Sequence, residues 1–441
     1  MKWRIPIIAM LVAVPALAAL VPALARTSPV VGPTTTIGVA ARVDPITSHA
    51  VASLERGRST FRYDPFGSNL FFSNTLRLNE VIEQVTPRQA LELGIKVDVD
   101  NLPRPVRQAL VRGQVDLDDP AVTRLLFQHF AVVGVVANVS EDGQHLRDLG
   151  ITCAFCHSTV DDSIAPGVGR RLDGWANRDL DVGAILALAP NLQPVADLLG
   201  VDVDTVKTVL NSWGPGKFDA HLNLDGVAFR PDGASAAVLI PPAFGLAGVN
   251  LHTYNGWGSV PYWNAFVAGH EMNGLGRFVD ARLADAEKYP IAAKQGLADV
   301  SDQPDLVTGK LADLHLYQIA IPAPEAPAGS FDVEAAARGE ALFAGKATCA
   351  TCHVPPLFTE PGWNLHTPEE IGIDSFQADR GPEGRYRTTP LGGLWSHAEG
   401  GFYHDGRFPT LLDVVDHYDQ HLDLDLSESE KRDLIEYVKS I

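Results

Sequence analysis

The sequence predicts a mainly α-helical protein made of two tandem domains that follow an extra N-terminal segment. Two copies of a C-x-x-C-H pentapeptide occur, one near the middle of the chain and one towards its C-terminus. The Pro-rich stretch Pro322–Gly329 lies between them and has the composition of a semi-rigid linker. Residues 330–441 then have the size of one small domain, about 110 residues.

Composition limits the kind of protein. The chain has 441 residues, 46% of them hydrophobic, with 54 acidic against 35 basic residues and a net charge of −19. The length suggests two to three domains, and the apolar content excludes extended disorder. The acidic balance argues against nucleic-acid binding, which needs clustered Lys and Arg, and favours a cationic partner surface.

The N-terminus has the layout of a secretory signal peptide. Lys2 and Arg4 precede the apolar run Ile5–Leu24, and Ala23-Leu24-Ala25 offers a cleavage site, so residues 1–25 are predicted to be removed and the protein to be periplasmic. The alternative is an uncleaved anchor, since the run is about long enough to span a bilayer, although three prolines interrupt it. No second stretch is predicted to cross a membrane.

All four cysteines belong to the two pentapeptides. C-x-x-C-H is the attachment signature of haem c: both thiols bond covalently to the haem, and the adjacent His is the proximal ligand of the iron. A zinc site would need about two more ligands per pair, and a dithiol pair would need no His. The sequence therefore predicts two covalently bound haem c groups, with attachment thiols Cys153, Cys156, Cys349 and Cys352 and iron ligands His157 and His353.

We divide the remaining chain by composition and periodicity. Residues 26–130 are predicted to be an N-terminal extension of unknown role, residues 131–321 the first haem domain, 322–329 the linker and 330–441 the second haem domain. The apolar stretch Val122–Val139 is predicted to be a buried helix that leads towards the first haem.

The ends of the second domain predict two helices. Asp332 is placed to cap a helix over Val333–Phe343, and Ser427 with Glu430 forms a capping box for a helix that runs to Ile441. Helices from the two ends of a domain that cross over a haem are the class I cytochrome c arrangement. We therefore predict two tandem class I cytochrome c-like domains.

A weak internal repeat supports two related domains. Ile240–Leu246 and Tyr254-Asn255-Gly256 echo Thr389–Leu394 and His404-Asp405-Gly406. In each copy an apolar helical stretch follows, Tyr262–Met272 and Leu411–Tyr418.

The distal sides of the two haems differ in the ligands available. Once the signal peptide is removed, Met272 is the only methionine, so at most one iron can have His/Met ligation. The other iron takes a His or Tyr, or stays open for peroxide or oxygen. Candidates for the second iron are His366, His397, His404, His417, Tyr418 and His421, and spacing alone does not choose among them.

Glu271 is the candidate acid/base beside the first haem. It is the only acidic residue between Asp232 and Asp280, and it follows an apolar stretch, which should raise its pKa and suit it to proton transfer with a peroxide oxygen. The alternative is that Glu271 faces solvent at the end of its helix and has no role. Met272 is either an iron ligand or a packing residue.

Part of the sequence resembles a known family. Arg387–Leu391, Gly401–Leu411 and Val414–Tyr418 are similar to the C-terminal domain of bacterial di-haem cytochrome c peroxidases and MauG-like enzymes, over about residues 335–441. In that family the residue shortly after the H-D-G-x-x-x-T-L segment binds the second iron, as Met in the peroxidases and Tyr in MauG. The resemblance implies Tyr418 as the partner of His353, with His417 next.

The first haem domain resembles the family more loosely, over about residues 145–275. There the resemblance implies Glu271 as the distal acid/base. Tyr254 stands at the position of the family's electron-bridging Trp, with Trp257 and Trp263 nearby, and Gly392-Gly393 replaces an Arg. The peroxidases' distal His has no counterpart between His157 and His221, as in MauG, and a calcium ion between the domains is an open question.

The favoured hypothesis is an exported di-haem oxidoreductase of the peroxidase or MauG type. Haem 1 would bind hydrogen peroxide and haem 2 would transfer electrons from a small redox protein or from a protein or organic donor. One alternative is an electron-transfer cytochrome in which both irons are six-coordinate and Met272 closes haem 1. The other is an oxygenase that acts on an organic substrate bound by the N-terminal segment.

Overall fold

Helices make up most of the regular structure, as predicted. The computed structural model describes residues 44–397 and 399–441, so the predicted signal peptide and the leader up to residue 43 lie outside the described residues. Residues His49–Ile441 form one compact unit. Among the helices that the structure describes, none is long and apolar enough to cross a membrane.

Most α-helices of the described chain are short, and the four longest have 12 to 19 residues. In chain order they are α1 Pro45–Tyr63, α2 Leu78–Ile82, α3 Pro87–Glu92, α4 Arg104–Val111, α5 Pro120–Gln128, α6 Ala154–His157, α7 Val182–Ala187, α8 Gln193–Leu199, α9 Val203–Asn211, α10 Leu222–Asp225, α11 Val260–Phe266, α12 Pro290–Gln295, α13 Leu311–Ala320, α14 Val333–Ala344, α15 Pro368–Ile371, α16 Phe376–Arg380, α17 Leu411–Leu422 and α18 Glu428–Ser440.

The strands form two-stranded sheets. They are β1 Val97–Asp98, β2 Val135–Val139, β3 Leu146–Ile151, β4 Ser158–Val160, β5 Val168–Gly169, β6 Arg171–Asp173, β7 Lys217–Phe218, β8 Val238–Leu239, β9 Arg277–Val279 and β10 Asp299–Ser301. β1 pairs with β5 in parallel, and the antiparallel pairs are β2 with β3, β4 with β6, β7 with β8 and β9 with β10.

Helices α14 and α18 cross closely, and both predicted caps are confirmed. The Asp332 carboxylate accepts from the backbone N–H of Ala335, and Ser427 and Glu430 form a reciprocal capping box. At the crossing, a Cβ on Gly339 would lie 2.0 Å from the backbone oxygen of Asp433, so only glycine allows this approach. Arg338 donates two hydrogen bonds, of 2.8 and 2.7 Å, to the carboxylate of the same Asp433.

Helices α1 and α13 repeat this crossing earlier in the chain. A Cβ on Gly57 would lie 2.1 Å from the backbone oxygen of Asp313, and Arg56 donates two hydrogen bonds to the Asp313 carboxylate, of 2.6 and 3.0 Å. An aromatic pair accompanies each crossing: Phe61 and Tyr317 have ring centroids 5.6 Å apart, and Phe343 and Tyr437 5.2 Å. The chain therefore contains the same Arg-Gly against Asp-x-x-x-Tyr helix pair twice.

The segment before residue 131 shares its core with the first haem motif. Buried side chains such as Leu76, Val97 and Leu126 belong to one hydrophobic cluster with Phe155, one of the two residues between the cysteines of the first motif. A second cluster joins Phe61 to Ala154 and Met272. Residues 49–130 thus pack around the first C-x-x-C-H motif and do not stand apart from it.

The predicted helix over Val122–Val139 is wrong in its second half. Helix α5 ends at Gln128, Phe130 and Gly134 have positive φ of 52° and 76°, and Val135–Val139 pairs with β3 as a strand. A Cβ on Gly134 would lie 2.1 Å from the Cα of Phe155. The β-branched run and this close backbone approach favour extended structure over a helix.

Candidate haem and proton-transfer site

The first C-x-x-C-H motif forms the short helix α6. Its thiols are not bonded to each other, and burial raises the pKa of both Cys153 and Cys156 to about 12. In the second motif, Cys349–Thr351 forms one 3₁₀ turn, and Cys349 and Cys352 are also half-buried free thiols. In each motif the two cysteines are three positions apart on one helical turn, so their sulfurs lie on the same side of that turn.

Both motif histidines are oriented in the same way. The Nδ1 atom of His157 lies 3.1 Å from the backbone oxygen of Pro241, and that of His353 lies 3.0 Å from the oxygen of Phe358. A carbonyl that accepts from Nδ1–H leaves Nε2 as the free lone pair, the arrangement usual for metal-binding histidines. Burial lowers the pKa of His157 to about 4 and also lowers that of His353, so both rings are neutral and able to bind iron.

Glu271 is placed beside the first motif. It ends the wide turn Val267–Glu271 that follows α11, and its buried Oε1 has no hydrogen-bond partner among the residues that the structure describes. Burial raises the pKa of Glu271 well above its usual value, and the charge of Asp219 adds to the rise. The Glu271 charge also contributes to the raised pKa of Cys156, which puts this carboxyl within electrostatic range of a haem thiol.

Two neighbours of Glu271 have no signal in the sequence. Asn223 donates towards the Glu271 carboxyl, which partly offsets the rise of the Glu271 pKa, and the buried Asn223 Oδ1 has no partner in the described part of the chain. Asp219 is almost fully buried. Both come from residues 219–225, far from Glu271 in sequence, so periodicity and spacing could not have associated them with it.

Tyr418 lies beside the second motif, on α17. Burial raises its pKa, the Tyr403 hydroxyl opposes the rise, and the thiols of Cys352 and Cys349 add to it. The rings of Tyr403 and Tyr418 have centroids 6.4 Å apart, and the described structure shows no short hydrogen bond to the buried Tyr403 hydroxyl. Tyr403 was not singled out from the sequence, although it lies inside the Gly401–Leu411 segment that carries the resemblance.

Most of the competing histidines already have partners. Nε2 of His417 lies 2.8 Å from the backbone oxygen of Ile371, that of His421 lies 3.2 Å from the oxygen of Glu370, and that of His366 lies 2.6 Å from the Glu360 carboxylate. Nε2 of His397 and Nε2 of His404 are buried, and neither has a hydrogen-bond partner within the described residues. His404 stacks on Tyr386, with centroids 5.4 Å apart.

Met272 packs within an apolar cluster. It is 3% exposed and shares this cluster with Phe66, Ala268 and Leu314. His270 turns to the other side of the same turn, where its ring contacts Phe278 with centroids 4.8 Å apart. The surroundings of Met272 are those of a packing residue.

The residues of both motifs fit covalent haem. Each motif offers two unpaired thiols and a neutral histidine with its Nδ1 already engaged. Both predicted haem domains also contain buried polar atoms for which the described chain offers no hydrogen-bond partner: Trp257 Nε1, Trp263 Nε1, Glu271 Oε1, Arg387 Nε, Tyr403 OH and His404 Nε2. Native proteins leave few such atoms unsatisfied, so a polar group in these spaces is expected.

The two copies of the weak repeat contact each other. The Tyr254 ring lies 6.2 Å from the His404 ring, and the backbone N–H of Leu239 donates to the His404 carbonyl at 2.7 Å. Trp257 instead stacks on Tyr289 in a separate cluster, with centroids 5.3 Å apart. Tyr254 is thus an aromatic residue of this turn that contacts the predicted second haem domain.

Two side-chain clusters among the described residues have metal-ligand spacing, Cys352 with Glu360 and His366, and Asp374 with His404 and Asp405. The first uses a predicted haem thiol. In the second, Arg230 and Arg407 already pair with both carboxylates. Neither fits calcium, because a hard cation needs several uncommitted oxygen ligands.

An apolar cavity of about 380 Å³ lies in the N-terminal region. Apart from Gln114 and Asp116 its lining is apolar, and Leu91, Val97 and Leu126 also line a smaller cavity of about 60 Å³ that reaches Phe155. Its size and lining are within the range of small-molecule sites.

The chain is similar in sequence to the methylamine utilization protein MauG of Methylorubrum extorquens. The two are 32% identical over 122 residues, which is 24% of this chain and 34% of MauG. The chain thus spans about a third of the length of the curated relative that it matches. It matches no protein-family model.

Two solved structures share weak similarity with the chain. A MauG-like protein associated with microbial copper homeostasis is 18% identical, with 50% of this chain and 79% of that one covered and a TM-score of 0.28. Hydrazine synthase of Kuenenia stuttgartiensis is 19% identical, with coverages of 49% and 76% and a TM-score of 0.27. With TM-scores this low, neither structure supports a conclusion about the fold or the function of this chain.

Proposed function

We propose that the chain is an exported di-haem c oxidoreductase of the peroxidase or MauG type, in which peroxide reacts at the first haem site and the second haem site transfers electrons. The observation that carries the proposal is the buried Glu271 carboxyl, with a free Oε1, beside a haem-attachment thiol. The partial similarity to MauG supports the same class.

We also propose two tandem class I cytochrome c-like domains with a revised first boundary. The crossings of α1 with α13 and of α14 with α18 use the same Arg-Gly and Asp-x-x-x-Tyr contacts, which supports a first haem domain that begins near Pro45 and not at residue 131. Residues 64–150 would then be an insertion within that domain.

In this proposal, Cys153 and Cys156 hold the first haem covalently and His157 binds its iron, while Cys349, Cys352 and His353 do the same for the second. A haem with an open coordination position supplies two-electron reduction of peroxide. The carbonyls of Pro241 and Phe358 orient the two imidazoles and increase their basicity.

Glu271 would move the proton that the peroxide reaction needs. Because its pKa is well above the usual value, the carboxyl is a competent donor near neutral pH, and the conjugate carboxylate is a competent acceptor. Transfer from one peroxide oxygen to the other would pass through Oε1, for which residues 44–397 and 399–441 supply no hydrogen-bond partner.

The test is Glu271→Gln in the haem-loaded protein, followed by rapid mixing with peroxide. Loss of a general acid/base is expected to slow the reaction by about 10²–10⁴-fold while the haem spectrum stays unchanged. Glu83→Gln is the matched control, since that half-buried carboxylate is satisfied by the backbone N–H of Leu146. An unchanged rate in Glu271→Gln would remove this residue from the reaction.

At the second haem, Tyr418 is the proposed partner of His353 on the iron. It lies close to both thiols, whereas His417, its nearest competitor, already uses Nε2 on a backbone carbonyl. The Tyr254–His404 contact is the proposed electron route between the two halves. The acidic chain would take electrons from a small cationic redox protein or from a side chain of a protein substrate.

One observation favours a second candidate, an oxygenase that acts on an apolar organic substrate. The cavity of about 380 Å³ formed by the N-terminal region is large enough for a small organic molecule. Peroxide-dependent turnover of an apolar substrate, lost in Val122→Trp but not in Val111→Trp, would support it. Val122 lines the cavity, and Val111 is exposed.

A further inference from the structure

Three arginines of the described chain contain buried nitrogens for which the described residues offer no hydrogen-bond partner. They are Arg171, Arg178 and Arg387. Arg171 lies 3.0 Å from the carboxylate of Asp98, but the described chain forms no ion pair with Arg178 or with Arg387. Because a buried guanidinium needs an anion or several oxygen acceptors beside it, both are candidates to bind a group that brings negative charge.

Arg387 lies beside the second haem motif. The oxygen of Phe358, 3.0 Å from Nδ1 of His353, also accepts the backbone N–H of Leu391 at 3.3 Å, so this stretch of chain runs next to that histidine. The Arg387 side chain turns to Leu251, whose backbone oxygen accepts from Nη1 at 2.6 Å, while its buried Nε has no acceptor among the described residues. Burial lowers the pKa of Arg387 to about 10, as expected for a cation without a nearby carboxylate.

Arg178 lies in the same way beside the first motif. The backbone N–H of its neighbour Asn177 donates to the Cys156 carbonyl at 2.9 Å. Nη1 of Arg178 is buried, and a Cβ on Gly400 would lie 3.7 Å from it, so the side chain reaches the predicted second haem domain. Arg387 reaches the opposite way, from the second domain to the first. The two arginines therefore start beside different motifs and cross between the predicted domains in opposite directions.

Each motif is proposed to hold a haem, and a haem carries two propionate carboxylates. Arginine pairs well with carboxylates, because its planar fork can donate two parallel hydrogen bonds. The acidic residue next to Arg178 in sequence does not compete, since Asp179 pairs with Lys96 instead. Both arginines thus have the chemistry and the location to bind haem carboxylates.

We propose that Arg178 binds a propionate of the first haem and Arg387 a propionate of the second, so that each haem is held by an arginine that also contacts the other predicted domain. These contacts would fix the orientation of each macrocycle beyond what the two thiols and the histidine do. The proposal rests on the haem attachment proposed above and makes no use of the peroxide chemistry.

The experiment is resonance Raman spectroscopy of the haem-loaded protein, which detects the bending mode of the haem propionates separately from the modes of the porphyrin ring. Loss of a hydrogen-bond donor lowers the frequency of this bending mode. In Arg178→Met and in Arg387→Met, one propionate band is expected to shift to lower frequency while the ring bands that report the spin state stay in place. Arg170→Met and Arg385→Met are the matched controls, because both arginines are exposed and lie near the same positions in sequence.

An unchanged propionate band in either variant would overturn the assignment of that arginine. A shift of equal size in the exposed controls would overturn both assignments.

A crystal structure of the haem-loaded parent tests the proposal without any variant. A nitrogen of each guanidinium is expected about 2.7–2.9 Å from a propionate oxygen of the haem at its own motif. Guanidiniums that contact only protein oxygens or a free inorganic anion would overturn the proposal. Neither measurement uses peroxide, so an unchanged peroxide rate in Glu271→Gln would refute the catalytic role of Glu271 without bearing on either arginine.

Discussion

The helix crossing at Gly339 gives the sharpest prediction for stability. In Gly339→Ala the new Cβ would meet the backbone oxygen of Asp433 at 2.0 Å and the Cβ of Tyr437 at 2.7 Å, and real Cβ contacts are essentially never below 3.0 Å. Helices α14 and α18 must therefore move apart by roughly 1 Å. Overpacking of this kind costs about 3 kcal/mol, and the better helix propensity of Ala offsets about 1 kcal/mol of it.

The net expectation is a loss of about 2 kcal/mol in the free energy of unfolding, or roughly 10 °C in Tm for a domain of this size. Thermal unfolding of the haem-loaded protein, followed by circular dichroism, measures it. Gly57→Ala, at the α1–α13 crossing, should lower the free energy of unfolding by a similar amount, because its Cβ would lie 2.1 Å from the Asp313 backbone oxygen. Gly309→Ala, where nothing lies within 4 Å, is the control. A Gly339→Ala protein that melts with the parent would refute the close crossing.

Three further predictions concern ligation and pH. Tyr418→Phe should change the optical spectrum of one haem only, and an unchanged spectrum would return the choice to the histidines. Met272→Leu should leave the spin state of both haems unaltered in electron paramagnetic resonance, because Met272 packs in an apolar cluster; conversion of a low-spin haem to high spin would instead favour the electron carrier. Burial raises the pKa of Asp374, but hydrogen bonds from Arg407 and Arg230 outweigh it and lower the pKa to about 2 from an unfolded value of 3.8. The ionised Asp374 carboxylate therefore stabilises the fold fully above about pH 4, and this stabilisation is lost as pH falls towards 2. The urea midpoint of the parent protein should drop across that window, and the midpoint of Asp374→Asn should drop less.

Local chemistry made part of this protein predictable. The C-x-x-C-H pentapeptides carry thiols and histidine on one turn, and the caps at Asp332 and Ser427 involve residues only three apart. Glu271 stood out because its neighbours in sequence are apolar. Each of these features depends on residues adjacent in the chain, so no tertiary information was needed.

The failures occurred where distant contacts outweigh local pattern. Val122–Val139 is apolar enough for a helix, but pairing with β3 and the close approach of Gly134 to Phe155 impose a strand on its second half. Residues 26–130 were predicted to be an N-terminal extension of unknown role because no motif marks them, and no feature of the sequence indicated that α1 packs on α13, some 250 residues away. Periodicity measures the burial of a face and carries no information about what covers it.

The sequence by itself therefore predicted the cofactor chemistry and determined where α14 and α18 begin, since both depend on short-range spacing. Only the tertiary structure decided which polar groups surround Glu271, because Asp219 and Asn223 act on it from a segment that nothing in the sequence associates with it. The acidity of a buried carboxyl depends on desolvation and on charges within a few ångströms. Both are properties of the folded chain.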